Sequence, residues 1–206
     1  SYKFDKKLRK LTIIKNSVQA RALINNNSIL ENINIKFFDN SLKSNISDPK
    51  KYLIDKHGLT GCLTIYDSIL KKVNINAANS NCEDAINIVS SEGDLNNVNI
   101  RDSISDAFDA DFSYIDVNNF KIENANNDCI DFSGGSYYLD NLALDNCSDK
   151  GLSAENSNIV VNNIRISNSL YGIASKDFSN VNINKILLDK VAICWDAYSK
   201  KQEFGG

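Results

Sequence analysis

The chain has 206 residues, a formal net charge of −3 and 42% apolar residues. That is enough for one domain with an extended core. It is too acidic for the basic stripe of a nucleic-acid-binding surface, and it lacks the apolar run of a membrane span.

Asparagine is abundant, while proline occurs once and methionine not at all. Asparagine favours turns over element interiors, so the composition points to many regularly spaced turns. The opening stretch "SYKFDKKLRK" has no apolar signal segment. It leads into Leu11 and Ile13, the first alternating pair, and "SILENINIKFF" supplies Ile33 and Ile35. From Phe38 to Leu59 the alternation fails. The segment "DNSLKSNISDPKKYLIDKHG" carries the only proline, Pro49, and the only histidine, His57. It predicts a loop or short helix inserted in one coil near residues 39–58. Such insertions form binding edges in solenoids, and they are also where neutral insertions survive.

From Leu59 the pattern becomes a repeat. Steps of 22 put Val98, Phe120, Leu142, Ile164 and Ile186 in one column, and Ile100, Ile122, Leu144, Ile166 and Leu188 in a second. A further strand recurs as Ile86/Ile88, Phe108/Ala110, Ile130/Phe132, Leu152/Ala154, Ile173/Ser175 and Trp195/Ala197. Alternation of this kind marks strands with one buried face. The unit is too short for a strand–helix–strand crossover and shorter than a propeller blade of roughly 40 residues. What fits is an all-β fold, a right-handed parallel β-helix of about eight coils with about 22 residues each. It forms one domain over residues 1–206, irregular in 1–58 and regular in 59–206.

Asn97, Asn119, Asn141 and Asn163 precede one strand, and Asn124, Asn146 and Asn168 follow it. These columns predict asparagine ladders, with amides bonded from coil to coil and backbone that tolerates left-handed angles. The C-terminal "AYSKKQEFGG" starts a coil and stops. An open end around Trp195 and Phe204 predicts cover by further chain or a partner.

Cys62, Cys129 and Cys194 fall in one column of small residues, three coils apart. That is roughly 14 Å at strand spacing, beyond the reach of about 7 Å between Cα atoms in a disulfide. Cys82 and Cys147 lie similarly far from each other. The expectation is free, mostly buried thiols, which favours a reducing compartment, and no zinc site.

The chemistry-bearing residues also fall in columns. Asn87, Asp109, Asp131, Ser153, Ala174 and Asp196 form one; Val89, Asp111, Ser133, Glu155, Lys176 and Tyr198 form the next. Both have the parity opposite to the buried residues and are expected to face outward. Asp84, Asp106 and Asp128, followed by Lys150, sit at the turn before the strand. Asp109, Asp111 and Asp131 are candidate calcium ligands, since oxygen donors at this density suit Ca²⁺. Asp109 and Asp131, with Lys150 or Lys176, are candidate catalytic groups. A carboxylate pair serves glycoside hydrolysis, and a cation with a lysine base serves lyase-type proton abstraction. An outer strand face needs polar residues in any case, and acids there limit aggregation.

The coils from about Gly58 to Gly206 resemble right-handed parallel β-helix proteins of the pectin-lyase-like superfold. Within it, "SDAFD", "NDCID" and "DKGLS" are similar to successive coils of polygalacturonases, which show N-T-D, D-D-C, G-H-G and R-I-K. Asp106 takes the place of the N-T-D acid and Asp128 that of the second acid of D-D. Asn127 replaces the first acid, Lys150 replaces the histidine, and no R-I-K follows, which implies loss of that mechanism. "GCLTIYDS", "CEDAINIVSS", "NDCIDFSGG", "GIASKD" and "AYSKKQEFGG" resemble β-helix modules that accompany CotH-type, spore-coat-kinase-like domains in bacterial proteins. This implies a module with any kinase chemistry elsewhere, since no phosphate loop is present.

The leading expectation is a non-catalytic platform within a larger bacterial protein, presenting an acidic strand face to a polysaccharide or protein partner. The loops after residue 83 are too short to wall a cleft, which favours it. The alternatives are a polysaccharide-active enzyme using Asp109, Asp131, Lys150 and Lys176, and a structural spacer.

Overall fold

The computed structural model describes residues 1–25, 27–41 and 53–200. Strands β1 (Tyr2–Asp5), β2 (Lys10–Lys15), β3 (Ala22–Ile24), β4 (Ser28–Glu31) and β5 (Asn34–Asp39) precede the insertion. They are followed by β6 (Gly61–Tyr66), β7 (Ser68–Ser80), β8 (Asp84–Val89), β9 (Glu92–Ser103), β10 (Asp106–Ala125), β11 (Ile130–Glu155), β12 (Asn158–Lys176) and β13 (Asn180–Tyr198). No helix of the described residues is long and apolar enough to cross a membrane.

The fold is a parallel β-solenoid of about 8 turns. Its register follows the columns: Leu11, Ile35, Ile75, Val98, Phe120, Leu142, Ile164 and Ile186 pair in succession. Among the described strands only β1 is antiparallel to its neighbour, β2. This hairpin covers the edge that an open first coil would expose. The insertion appears as a long step: Asn34 lies under Asn74, 40 residues on, whereas the next steps of the ladder are 23 and 22. Residues 42–52, including Pro49, lie outside the described residues, as do 201–206.

Each coil turns two corners in left-handed backbone. One corner column holds Asn124, Asn146 and Asn168, the other Asp67, Ser90, Phe112, Gly134, Asn156 and Phe178, all with positive φ. The ladders are present. Asn74 Nδ2 donates to Asn34 Oδ1 at 3.1 Å, Asn97 to Asn74 at 2.7 Å, Asn119 to Asn97 at 3.2 Å and Asn146 to Asn124 at 2.9 Å. Inside, the apolar columns form one continuous core from Ile13 to Ile173.

The cysteines are not free thiols. Cys62 bonds Cys82 and Cys129 bonds Cys147, with Cα separations of 5.3 and 5.4 Å; only Cys194 is unbonded, and it is exposed. The physical reason is the winding itself. A separation of 20 or 18 residues is nearly one coil and brings the partners onto adjacent rungs. Comparing cysteines only within a column misses this diagonal. The disulfides also remove the ground for placing the chain in a reducing compartment. Replacing Cys129 and Cys147 together by alanine is expected to cost about 3 kcal/mol, as for a closed loop of comparable length. Urea denaturation measures it, and an unshifted midpoint would mean the bridge contributes nothing.

Candidate functional site

The acid columns lie on the sheet face made by β6, β8 and the opening residues of β10. Asp84 pairs with Asp106, Asn87 with Asp109, and Val89 with Asp111. Asp109 pairs in turn with Asp131, and Asp111 with Ser133. At the far end Ser153 pairs with Ala174 and Glu155 with Lys176. Strand alternation sets this placement, because the core takes Phe108, Ala110, Ile130 and Phe132 from the same segments.

Parity assigns Asp109, Asp111, Asp131, Glu155 and Lys176 to the outer face, but it does not make them exposed. Asp84, Asp106, Asp128, Glu155 and Lys176 are buried, and Asp109, Asp111 and Asp131 are half-buried. Stacked neighbours one coil apart cover one another, and lysine stems lie among them. Asn87 Nδ2 donates to Asp109 Oδ2 at 2.7 Å and to Asp111 Oδ2 at 3.3 Å. Lys150 Nζ stands 3.3 Å from Asp128 Oδ1 and also meets Asp149. Lys176 Nζ stands 3.5 Å from Asp131 Oδ1 and 3.9 Å from Glu155 Oε2, and Lys200 reaches the same Glu155 oxygen at 2.8 Å.

The candidate catalytic residues thus fall into two groups. Lys176 and Asp131 meet directly, while Lys150 belongs to Asp128. Asp109 accepts from Asn87, whose amide also reaches Asp111. The candidate calcium ligands do not converge. Among the described residues no three acid, histidine or cysteine side chains form a metal-holding group. Sequence reasoning missed Lys200, whose coil position is readable but whose turn back onto Glu155 is not. It also missed three buried oxygens in one column, Thr64 Oγ1, Asp131 Oδ1 and Ser153 Oγ. None has a hydrogen-bond partner among the described residues.

Burial dominates the electrostatics. It raises the pKa of Asp84 to about 7, against hydrogen bonds from Thr60 and Asn87. Burial, followed by the charge of Asp128, raises Asp106 to about 8. Burial raises Asp128 to about 6, and the charge of Lys150 holds the rise back. Asp109 is pushed well above the usual carboxylate range by burial and then by Asp84 and Asp111. Burial works against the charge of Lys150, but Asp128 and Asp149 outweigh it and raise its pKa.

These shifts set a pH dependence with a definite sign. The folded chain keeps protons that unfolded carboxylates, ordinarily near pH 4, release. Their stabilisation is fully present below about pH 4 and is lost as pH rises through about 6 to 8. The Tm should therefore fall between about pH 4.5 and 8.5, and Asp106→Asn should flatten the slope. A wild-type Tm that climbs across this window would contradict the burial of the column.

Chemically, the face offers protonated carboxyls beside ion-paired ones, held by an amide and three lysines. Comparison with protein-family models, with curated proteins and with solved structures finds no match to this chain.

Proposed function

We propose that the protein is a non-catalytic β-helix platform that presents its acidic strand face to a glycan or protein partner. One observation carries this reading: the acids of the face already have partners within the scaffold. The Asn87 amide holds Asp109 and Asp111, Asp128 is held by Lys150, and Asp131 and Glu155 stand in ion pairs with Lys176 and Lys200. Groups bound this way present fixed dipoles and charges to a ligand. They are poorly placed to exchange protons with one.

A second reading has its own support. Burial pushes the Asp109 carboxyl well above the usual range, and its neighbour Asp131 faces Lys176. Acid–base hydrolysis uses a pair of carboxyls set in unlike environments. On that reading Asp109 gives its proton to the leaving oxygen, Asp131 acts as nucleophile or base, and Lys150 and Lys176 set the local charge.

Incubation with soluble polysaccharides, followed by product analysis and co-sedimentation, separates the two. The platform reading expects a bound polymer of unchanged length, with retention weakened several-fold in Lys176→Ala. Chain shortening that disappears in Asp131→Asn would replace it with the enzyme. Retention of no polymer or protein would leave a structural spacer.

A further inference from the structure

A different face carries a feature that neither reading uses. The second strands of successive coils (residues 68–71, 92–95, 114–117, 136–139 and 158–161) line an open groove of about 740 Å³ along the solenoid. Its outer columns bring together Glu92, Asp94, Tyr114, Asp116 and Tyr138, with Lys71 at one end. Tyr114 is 65% exposed and Tyr138 45%. Tyr138 pairs with Asp116, one coil on from Tyr114 and two residues along, so the two rings stand on a diagonal. Asn162 Nδ2 donates to the Tyr138 hydroxyl at 2.6 Å and fixes it, and Asp94 Oδ2 is fixed by the Lys72 amide at 2.7 Å.

At the corner beside Tyr114 stands Phe112, 67% exposed, with φ of +50°. Most of that corner column is Asp, Ser, Gly or Asn, which adopt left-handed backbone readily. A phenylalanine there accepts backbone strain that burial does not offset. Such strain in an ordered chain marks a position held for another purpose. Gly134, the next corner, makes room for its ring: a Cβ there would come within 2.8 Å of Phe112 Cδ1. Two exposed tyrosine rings and three carboxylates thus line one groove, with the exposed Phe112 at the adjoining corner.

We propose that this groove binds a glycan chain without acid groups, neutral or amino-bearing, lying along the solenoid axis with its sugar rings on Phe112, Tyr114 and Tyr138. Apolar faces of sugar rings pack on aromatic rings, and Glu92, Asp94 and Asp116 accept hydrogen bonds from hydroxyls or amines. Three carboxylates against one lysine repel a polyuronate or a sulfated chain. The groove runs over a sheet face, where the backbone is already paired, so it offers no edge for an extended peptide. It is open, without the enclosed pocket that a protein anchor residue fills. The inference rests on the platform reading and adds a second face to it.

The test is calorimetric titration with hexamers of glucose, xylose, mannose, glucosamine, N-acetylglucosamine and galacturonate, all β-linked except the last, and with a lysine decapeptide. At least one acid-free hexamer should bind, and Tyr114→Ala and Phe112→Gly should each weaken it tenfold or more. Phe112→Gly should leave the Tm unchanged or raise it, which separates lost binding from lost folding. Lys121→Ala, on the third strand and outside this groove, should leave this affinity unchanged. Binding untouched by Tyr114→Ala with Tyr138→Ala, but lost in Asp131→Asn, overturns the groove and keeps the platform. Tightest binding of the galacturonate hexamer, or tyrosine-dependent preference for the lysine peptide, overturns the glycan assignment. Binding of none of these probes overturns the groove, while the platform falls only if no polymer or protein is retained by the whole chain.

Discussion

Phe108→Ala is expected to lower the free energy of unfolding by about 3–5 kcal/mol, the range for a buried aromatic truncated to alanine. Phe108 is fully buried. Its ring meets Phe120 edge-on at a centroid distance of 4.9 Å and Phe132 at 6.2 Å, while Phe132 stacks on Tyr137 at 3.9 Å. Removing it therefore opens a void and breaks two edge-to-face contacts at the middle of the stack. In a solenoid each coil is supported only by its neighbours, so a weakened middle coil also loosens the coupling between the two ends. The single tryptophan, Trp195, lies in the last strand. Its fluorescence transition in guanidinium should separate from the far-UV dichroism transition in the variant and coincide with it in the wild type. A cost below about 1 kcal/mol would mean that the aromatic cluster is not the centre of the core.

The winding was legible because its signal is periodic. A step of 22 puts Val98, Phe120 and Leu142 in register by counting, and the strand pairs follow that count. The turn asparagines were legible for the same reason, since a ladder is a column by definition. What counting cannot give is anything that runs diagonally or folds over a face. The Cys129–Cys147 bridge joins residues 18 apart, off the column by part of a coil. The acids of the first face were placed on the correct side of the sheet by parity, yet parity says nothing of neighbours covering them. Asp106 and Asp128 are read from the sequence only as turn residues, yet they lie buried just ahead of the core residues Phe108 and Ile130, and their raised pKa values are invisible in the sequence. Phe112 carried a signal that went unread: a large aromatic in a corner column otherwise occupied mostly by small or polar residues.

The same limit applies at the N-terminal end. Asn81, just past the end of β7, lies beside Lys15 at the end of β2, but the path between them runs through Asp39 in steps of 24 and 42 residues, so the repeat of 22 does not reveal the contact. Lys15 is buried, and its ammonium lies 2.7 Å from Asp39 Oδ2, with side-chain exposures of 2% and 0%. Asn81 Oδ1 also accepts from it, and the Asn81 amide reaches back to Ser41 at 3.0 Å. This cluster sits where β5 ends and the insertion begins, so it ties the irregular coils to the regular ones. Burial pulls the Lys15 pKa below the ordinary lysine range, and Asp39 opposes that by hydrogen bond and by charge.

Lys15→Met keeps most of the volume but leaves Asp39 buried without its cation. Breaking a buried pair in this way costs about 3–5 kcal/mol, because the remaining charge stays desolvated. Lys15→Met combined with Asp39→Leu removes both charges and should recover most of that loss. The two are compared by urea denaturation at neutral pH. If the double variant is no more stable than Lys15→Met, the loss comes from the lysine's contacts with Asn81 and Ser41. The charge pair would then not be what joins the two halves of the solenoid.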